Sequence, residues 1–365
     1  MLTMETKIIF TTEDPAFLAQ REDFVLIESF DLGDRYAAKV RTKPSYGMNA
    51  MSSLQQEEDA RIEGIENSFD GHLLMAPEGE GHISEDDDDV ADLEEIREFH
   101  EIHGSDETGK GQTVVVMDSG IDVSHPFFKN VPEIRMVDCT GQGHEDSNGH
   151  GTAVAGMVHG IAPDANLVSL RIFGSQGTTS DTVILRAYEW LHQHVHEYDI
   201  VNMSWGASVP VGLLDATHRS LITKGVRDVV AAGNSGREGG SPATAEKAFS
   251  VGSNTIDGDL SEFSSYNPER SNPDVCAVGQ DCKLVRGRGT NMGISIDNEW
   301  TKASGTSFSA PAVAGMVARF WEAHEMADVD QIADAFRNNA RDIPDTPEDG
   351  AGVADYDDTR DAGTE

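Results

Sequence analysis

Cysteine is scarce: Cys139, Cys276 and Cys282 are the only three in 365 residues. Three thiols build no disulfide framework. Cys276 and Cys282 are near enough in sequence to pair, but free, partly buried thiols are the expected state. Long apolar runs are missing too. No stretch of about 18 apolar residues exists, which excludes a helical membrane span. The start, Met1-Leu2-Thr3-Met4-Glu5-Thr6-Lys7, is followed by only Ile8-Ile9-Phe10 and lacks the apolar core of a secretory signal. A cytoplasmic location is the expectation, with export by a route not encoded in this chain as the alternative. Basic residues are few: 27 Lys and Arg stand against 65 Asp and Glu, a formal charge of −38. Such a surface repels nucleic acid and anionic membranes. It suits a protein kept soluble in concentrated salt, where the Debye length shrinks to about 3 Å.

What is present is a set of short, polar-ended islands. Thr113-Val114-Val115-Val116-Met117 is an apolar run that ends in Asp118. His150 sits in Asn148-Gly149-His150-Gly151-Thr152, and Ser307 in Ser304-Gly305-Thr306-Ser307-Phe308-Ser309-Ala310-Pro311. A serine hydroxyl is a poor nucleophile at neutral pH. It needs a histidine to take its proton and a carboxylate to hold that imidazole in one tautomer. After Ser307 the residues Phe308, Ala312, Val313, Met316, Val317 and Phe320 recur at helical spacing, so a buried helix begins at the serine. Its positive end favours nearby negative charge.

In the order Asp, His, Ser, with gaps of 32 and 157 residues, the chain resembles the subtilisin-like serine proteases, the subtilases. Ala231-Ala232-Gly233-Asn234-Ser235-Gly236 and Asn202-Met203-Ser204-Trp205-Gly206 match further stretches of that family, and the likeness covers roughly residues 95 to 358. The resemblance implies an endopeptidase with Asp118, His150 and Ser307 as triad and Asn234 as oxyanion donor. It implies substrate strands at 174–179 (Gly174, Gly177, Thr178 among them) and at Ser204 to Gly206. The pocket for the residue before the cut bond would be walled by Ser204, Trp205, Gly206, Ala231, Ala232 and Gly233, with Gly240 as floor. Polypeptides are the implied substrates, and no cofactor is required. An esterase is disfavoured, because the serine motif lacks the closing glycine of a nucleophile elbow. A non-catalytic scaffold that keeps its own N-terminal module bound is the rival reading.

The order of elements supports a doubly wound α/β fold with a mostly parallel sheet and helices on both faces. Strands are expected at Thr113–Met117, Asn166–Ile172, Asp199–Met203, Asp228–Ala232 and Phe249–Gly252. Helices are expected at about His150–Val158, Asp181–His196, Val211–Lys224 and Val329–Asn338. Residues 1–76 read as a separate α+β module in the order βαββαβ, a ferredoxin-like pattern. Its strands are expected at Lys7–Thr11, Phe24–Phe30, Tyr36–Thr42 and Gly71–Met75, with helices near 15–21 and 50–65. The resemblance makes this module an inhibitory, chaperone-like propeptide and the chain's own partner, and implies that its last strand leads into the active site as a product-like peptide. Residues 77–94 read as an acidic linker and 359–365 as an acidic tail. Processing is expected between Met75 and about His103.

Metal readings are weak. His192, His194 and His196 alternate on an expected helix, with His192 and His196 four apart, but a solvated face is the simpler account. The stretch from Gly156 to Pro163 is too short for the calcium loop of many secreted subtilisins. Weaker calcium binding by surface aspartates stays open.

Overall fold

The computed structural model describes residues 5–43, 54, 60–75, 90–102, 106–267, 272–343 and 350–362. Near the N-terminus β1 (Thr6–Thr11), β2 (Phe24–Asp31), β3 (Tyr36–Thr42) and β4 (Ile62–Asn67) form an antiparallel sheet in the order β2-β3-β1-β4. Between β1 and β2 lies a short 3₁₀ turn, Pro15–Gln20, capped by Asp14, whose carboxylate accepts from Ala16 N at 2.9 Å. The period of two along β1 divides its side chains. Ile9 packs with Leu18, Phe24, Ala38, Val40 and Leu54 in the module's own core. Ile8 and Phe10 join Ile184, Tyr188 and Leu214 of the larger domain.

The ferredoxin-like strand order is present, but its fourth strand is not Gly71–Met75. Ile62–Asn67 fills that place, paired antiparallel with β1 through Ile9 and Ile65. Ile62 and Ile65 pack against the module's core, so residues read as the end of a helix are extended. Most of that expected helix lies outside the described residues. After one turn the chain forms β5 (Asp70–Leu73), which leaves the module and pairs elsewhere.

In the larger domain come α1 (Leu93–Phe99), β6 (Thr113–Asp118), β7 (Ile134–Asp138), α2 (His150–Ile161), β8 (Asn166–Arg171), β9 (Thr178–Ser180), α3 (Asp181–Gln193), β10 (Ile200–Met203), β11 (Trp205–Gly206) and α4 (Gly212–Thr223). Then follow β12 (Arg227–Ala231), β13 (Ser250–Asn254), β14 (Val275–Val278), β15 (Cys282–Val285), β16 (Ile294–Ser295), β17 (Trp300–Ala303), α5 (Thr306–Ala323), α6 (Val329–Asn338) and α7 (Tyr356–Ala362). Seven strands make one parallel sheet, ordered β14-β13-β12-β10-β6-β8-β7. Both faces are covered, as parallel sheets require. Val114 and Val116 pack with α2 and α5, while Val115 and Met117 pack with α3 and α4. The fold is therefore doubly wound α/β, with the N-terminal sheet laid over α3 and α4.

In this domain the expected strands and helices are present with small shifts, but α1, α7, β7, β14 and the antiparallel sheet β15-β17-β16 were not anticipated. The boundaries at 94 and 358 also move. Ala91 bridges Cys282, and Asp92 caps α1 with a capping box, so residues 91 and 92 already belong to the larger domain. At the other end α7 runs across the expected tail boundary and buries Thr359. All three cysteines are buried and free. No helix among the described residues is long and apolar enough to cross a membrane.

Candidate active site

Asp118 closes β6 at the carboxyl edge of the sheet, where open α/β folds place their sites. His150 opens α2 and Ser307 is the second residue of α5, the two helices that pack against each other on one face. All three side chains are buried. His150 Nδ1 lies 2.9 and 3.0 Å from the two Asp118 oxygens. That pairing places the proton on Nδ1 and leaves Nε2 as the basic nitrogen. Nε2 is buried with no hydrogen-bond partner. An unpartnered buried nitrogen is costly in a core, and here it faces the work a general base does.

The start of α2 is tightly built. Gly149 has φ of 102°, a left-handed conformation suited to glycine. A Cβ on Gly151 would stand 2.2 Å from Gly120 O and 3.1 Å from Asp118 Oδ1, so only glycine lets the helix approach the carboxylate this closely. Asp146 holds the turn. It accepts from Ser119 Oγ (2.9 Å), Asn148 N (3.0 Å), Gly149 N (2.8 Å) and Thr152 N (3.0 Å). Ser119 Oγ in turn accepts from Gly151 N at 2.9 Å. This clamp was missed in the sequence, where Asp146-Ser147-Asn148-Gly149 reads as an ordinary turn; the cap-like aspartate before a helix was the available signal.

Asn234 stands at the far side of Ser307. Its Oδ1 accepts from Thr306 N and Thr306 Oγ1, each at 2.9 Å. Those donors fix the amide orientation and leave Nδ2 buried without a partner. A donor held unpaired beside a nucleophile is what a developing oxyanion needs.

The cleft is occupied by the chain itself. β5 lies between β9 and β11 as the middle strand of three: Gly71 opposes Thr179, His72 opposes Thr178 and Gly206, and Leu73 opposes Trp205. Leu73 N donates to Gly177 O (3.1 Å) and Leu74 N to Ser204 O (3.4 Å). Ser307 Oγ lies 2.5 Å from Leu74 O and 3.0 Å from Ser204 O. Beyond Leu74 a cavity of about 200 Å³ is bounded by Gly206, Ala231, Ala232, Gly233, Gly239 and Gly240 among others. Ser204 and Trp205 are not part of that wall. Ser204 Oγ donates to Ser307 O (2.8 Å), and the Trp205 ring is buried 6.4 Å from Phe173, edge to face. Trp205 therefore meets the strand through its main chain and its inner ring edge. Gly174 lies off the paired strand, facing Gln142. A wider cavity of about 1010 Å³ lies elsewhere, and among its charged groups Arg337 pairs with Asp274 (2.6 Å) and Arg219 with Glu246 (2.5 Å).

The histidine run does not converge. α3 ends at Gln193, so His196 falls beyond the helix. His192 Nδ1 accepts from Lys224 Nζ at 2.8 Å, and burial together with that cation lowers its pKa to about 4. His194 stacks on Trp190. No group of three or more His, Cys, Asp or Glu side chains positioned to hold a metal occurs among the described residues.

Residues 109–359 match the model of the subtilase family. Subtilisin-like protease 2 of Pseudogymnoascus destructans is 34% identical over 217 residues, 58% of this chain and 52% of that protein. Alkaline serine exoprotease A of Vibrio alginolyticus is 31% identical over 232 residues, 61% of this chain and 41% of its own length. The chain thus spans about half the length of the curated relatives it matches. Among solved structures, fervidolysin from Fervidobacterium pennivorans, described as a keratinolytic enzyme related to subtilisin, superposes over the whole chain and 62% of its own. Its TM-score is 0.76 at 18% identity, a likeness of fold. A cold-adapted subtilisin-like serine proteinase aligns over 69% of this chain and 90% of its own, at TM-score 0.59 and 26% identity. With the matched segment covering most of its length and the buried Asp118–His150 pair beside Ser307, the chain belongs to the subtilase family.

Proposed function

We propose that this chain is a serine endopeptidase made as a zymogen, which cuts its own Leu74–Met75 bond and then polypeptides that bind in the same way. The observation that carries the reading is the seating of β5 in the cleft with Leu74 O 2.5 Å from Ser307 Oγ. An extended segment added between two strands is a recurring way to bind peptide, with main-chain hydrogen bonds for affinity and pockets for choice. In the reaction His150 Nε2 takes the Ser307 proton as Oγ bonds to the Leu74 carbonyl carbon. Asn234 Nδ2 and the Ser307 N–H receive the charge on the oxygen. The C–N bond then breaks as His150 returns the proton to the Met75 nitrogen, and water repeats the sequence to free the Leu74 carboxylate. Asp118 holds the ring and offsets the imidazolium charge.

The N-terminal module would act as the bound inhibitor. Its docking joins Ile8, Phe10 and Phe30 to the domain core and adds the covered pair Lys39–Asp181 (2.5 Å) and, at the rim, Arg186–Glu28 (2.7 Å). The test is mass spectrometry of the purified full chain and its Ser307→Ala variant. A new N-terminus at Met75 in the first, absent in the second, is the expected outcome. Cleavage that persists in Ser307→Ala would overturn the assignment.

A further inference from the structure

The strand that fills the cleft carries a glycine where the wall is closed. Counting back from the Leu74–Met75 bond, Leu74 is first, Leu73 second, His72 third and Gly71 fourth. Side chains alternate along a strand, so Gly71 and Leu73 face the same way, toward the cluster that contains Ile184 and Trp205. A Cβ on Gly71 would stand 3.0 Å from Ile184 Cδ1, 3.2 Å from Trp205 Cε3 and 3.3 Å from Thr179 Cγ2. All three are tighter than ordinary van der Waals contact, and they converge on one atom from three residues.

These neighbours have little room to withdraw. Ile184 and Trp205 are fully buried. Ile184 sits in the first turn of α3, and the Trp205 ring is backed by Phe173. Close-packed interiors resist even one added carbon. The backbone of Gly71 does not explain the residue, because its φ is not among the positive values. Space explains it. At the neighbouring positions the cleft is roomier: Leu73 rests over Gly177, and the cavity of about 200 Å³ lies past Leu74.

We propose that this cleft selects polypeptides with glycine at the fourth residue before the cut bond, with Ile184, Trp205 and Thr179 forming the wall that rejects larger side chains. The inference rests on the proteolytic reading above and names its substrate class: extended segments in which glycine precedes the cut by four residues and apolar residues occupy the last two. Such a cleft would cut few sites in an average protein, its own Gly71-His72-Leu73-Leu74 among them.

The test uses the self-processed full chain and peptides with the sequence of residues 69–76, the glycine kept or replaced by Ala, Val, Leu or Phe. The expected kcat/KM is highest for glycine, about tenfold lower for Ala and about a hundredfold lower for Val, Leu and Phe. Ile184→Ala should raise the Leu peptide relative to the glycine peptide by about tenfold. Because that change also hollows the core, Thr179→Ser serves as a second variant: it removes only the Cγ2 methyl and should narrow the gap between Ala and glycine. Equal rates for all five peptides, or a preference for a bulky residue, would overturn the inference while leaving proteolysis standing. Failure to cut even the glycine peptide would overturn both.

Discussion

Asp146 accepts hydrogen bonds from Ser119, Asn148, Gly149 and Thr152, and so ties the Asp118 loop to the first turn of α2. It touches no reacting atom; it positions His150. In Asp146→Asn one oxygen becomes an NH₂ that faces donors, leaving two donors repelled on one side of the turn. The expected result is a fall in kcat of about 10²-fold with KM little changed, because a small misplacement of the base costs that much. A proportional rise in KM, or an unchanged kcat, would show that the clamp does not set the ring. At this scale the grouping of Asp118 with His150, and of Asn234 with the Thr306-Ser307 turn, was legible because the motifs that carry them keep one order along the chain. Asp146 was not, since an aspartate before Asn-Gly satisfies turn chemistry equally well. The closed wall at Gly71 was not legible either: its three neighbours come from residues 179, 184 and 205, brought together only by the fold.

At the scale of elements, continuous apolar runs located the central strands, and apolar spacing located α5 and α6. β7 failed the same reading because it is an edge strand whose five residues are all half-buried, so no face stands out. Ile62–Asn67 failed because Glu63 and Glu66 within Ile-Glu-Gly-Ile-Glu-Asn suggest a helix, while pairing with β1 makes it a strand. One tie between elements has a pH signature. His100, at the end of α1, has Nδ1 2.7 Å from Ala354 O and accepts from Val278 N at Nε2 (3.1 Å), joining α1 to β14 and the α7 lead-in. Burial lowers its pKa to about 4, against a smaller opposing pull from the Ala354 carbonyl. The unfolded chain therefore takes up this proton first as pH falls below about 6.5. Stability is full above that value and declines toward pH 4, by about 2 kcal/mol between pH 6.5 and 5. His192, lowered to about 4 in the same direction, adds to the decline. Urea unfolding at pH 7 and 5 measures it. His100→Gln, which keeps a donor and an acceptor but does not titrate, should flatten the slope; an unchanged slope would remove His100 from the account.

At the scale of the whole molecule, the two-part organisation was visible in composition and pattern, whereas the route of the last strand into the cleft came from the family resemblance and not from the pattern. β5 was assigned to the module because it follows the module in sequence, and the cleft competes for it with two open strand edges. The charge balance adds a constraint on that assembly. Residues 1–76 hold fourteen acidic against seven basic side chains, so the module and the rest of the chain are both anionic. Lys39–Asp181, with Asp181 buried, and the exposed pair Arg186–Glu28 oppose that repulsion only locally, and an exposed pair such as the latter contributes at most about 1 kcal/mol. The long-range part is what salt screens: the Debye length falls from about 10 Å at 0.1 M to about 3 Å at 1 M. Raising KCl from 0.05 M to 2 M should therefore raise the unfolding midpoint of the Ser307→Ala chain, which keeps its module attached, with most of the gain complete by about 1 M. Screening predicts that saturation, and it distinguishes repulsion from the steady rise that salt-strengthened apolar burial would produce. A midpoint that stays flat or falls across the series would sink the view that a net charge of −38 is an adaptation to concentrated salt. Under the same conditions, proteolytic release of the module from the processed wild-type chain should be fastest at the lowest salt, where the two anionic parts repel most strongly.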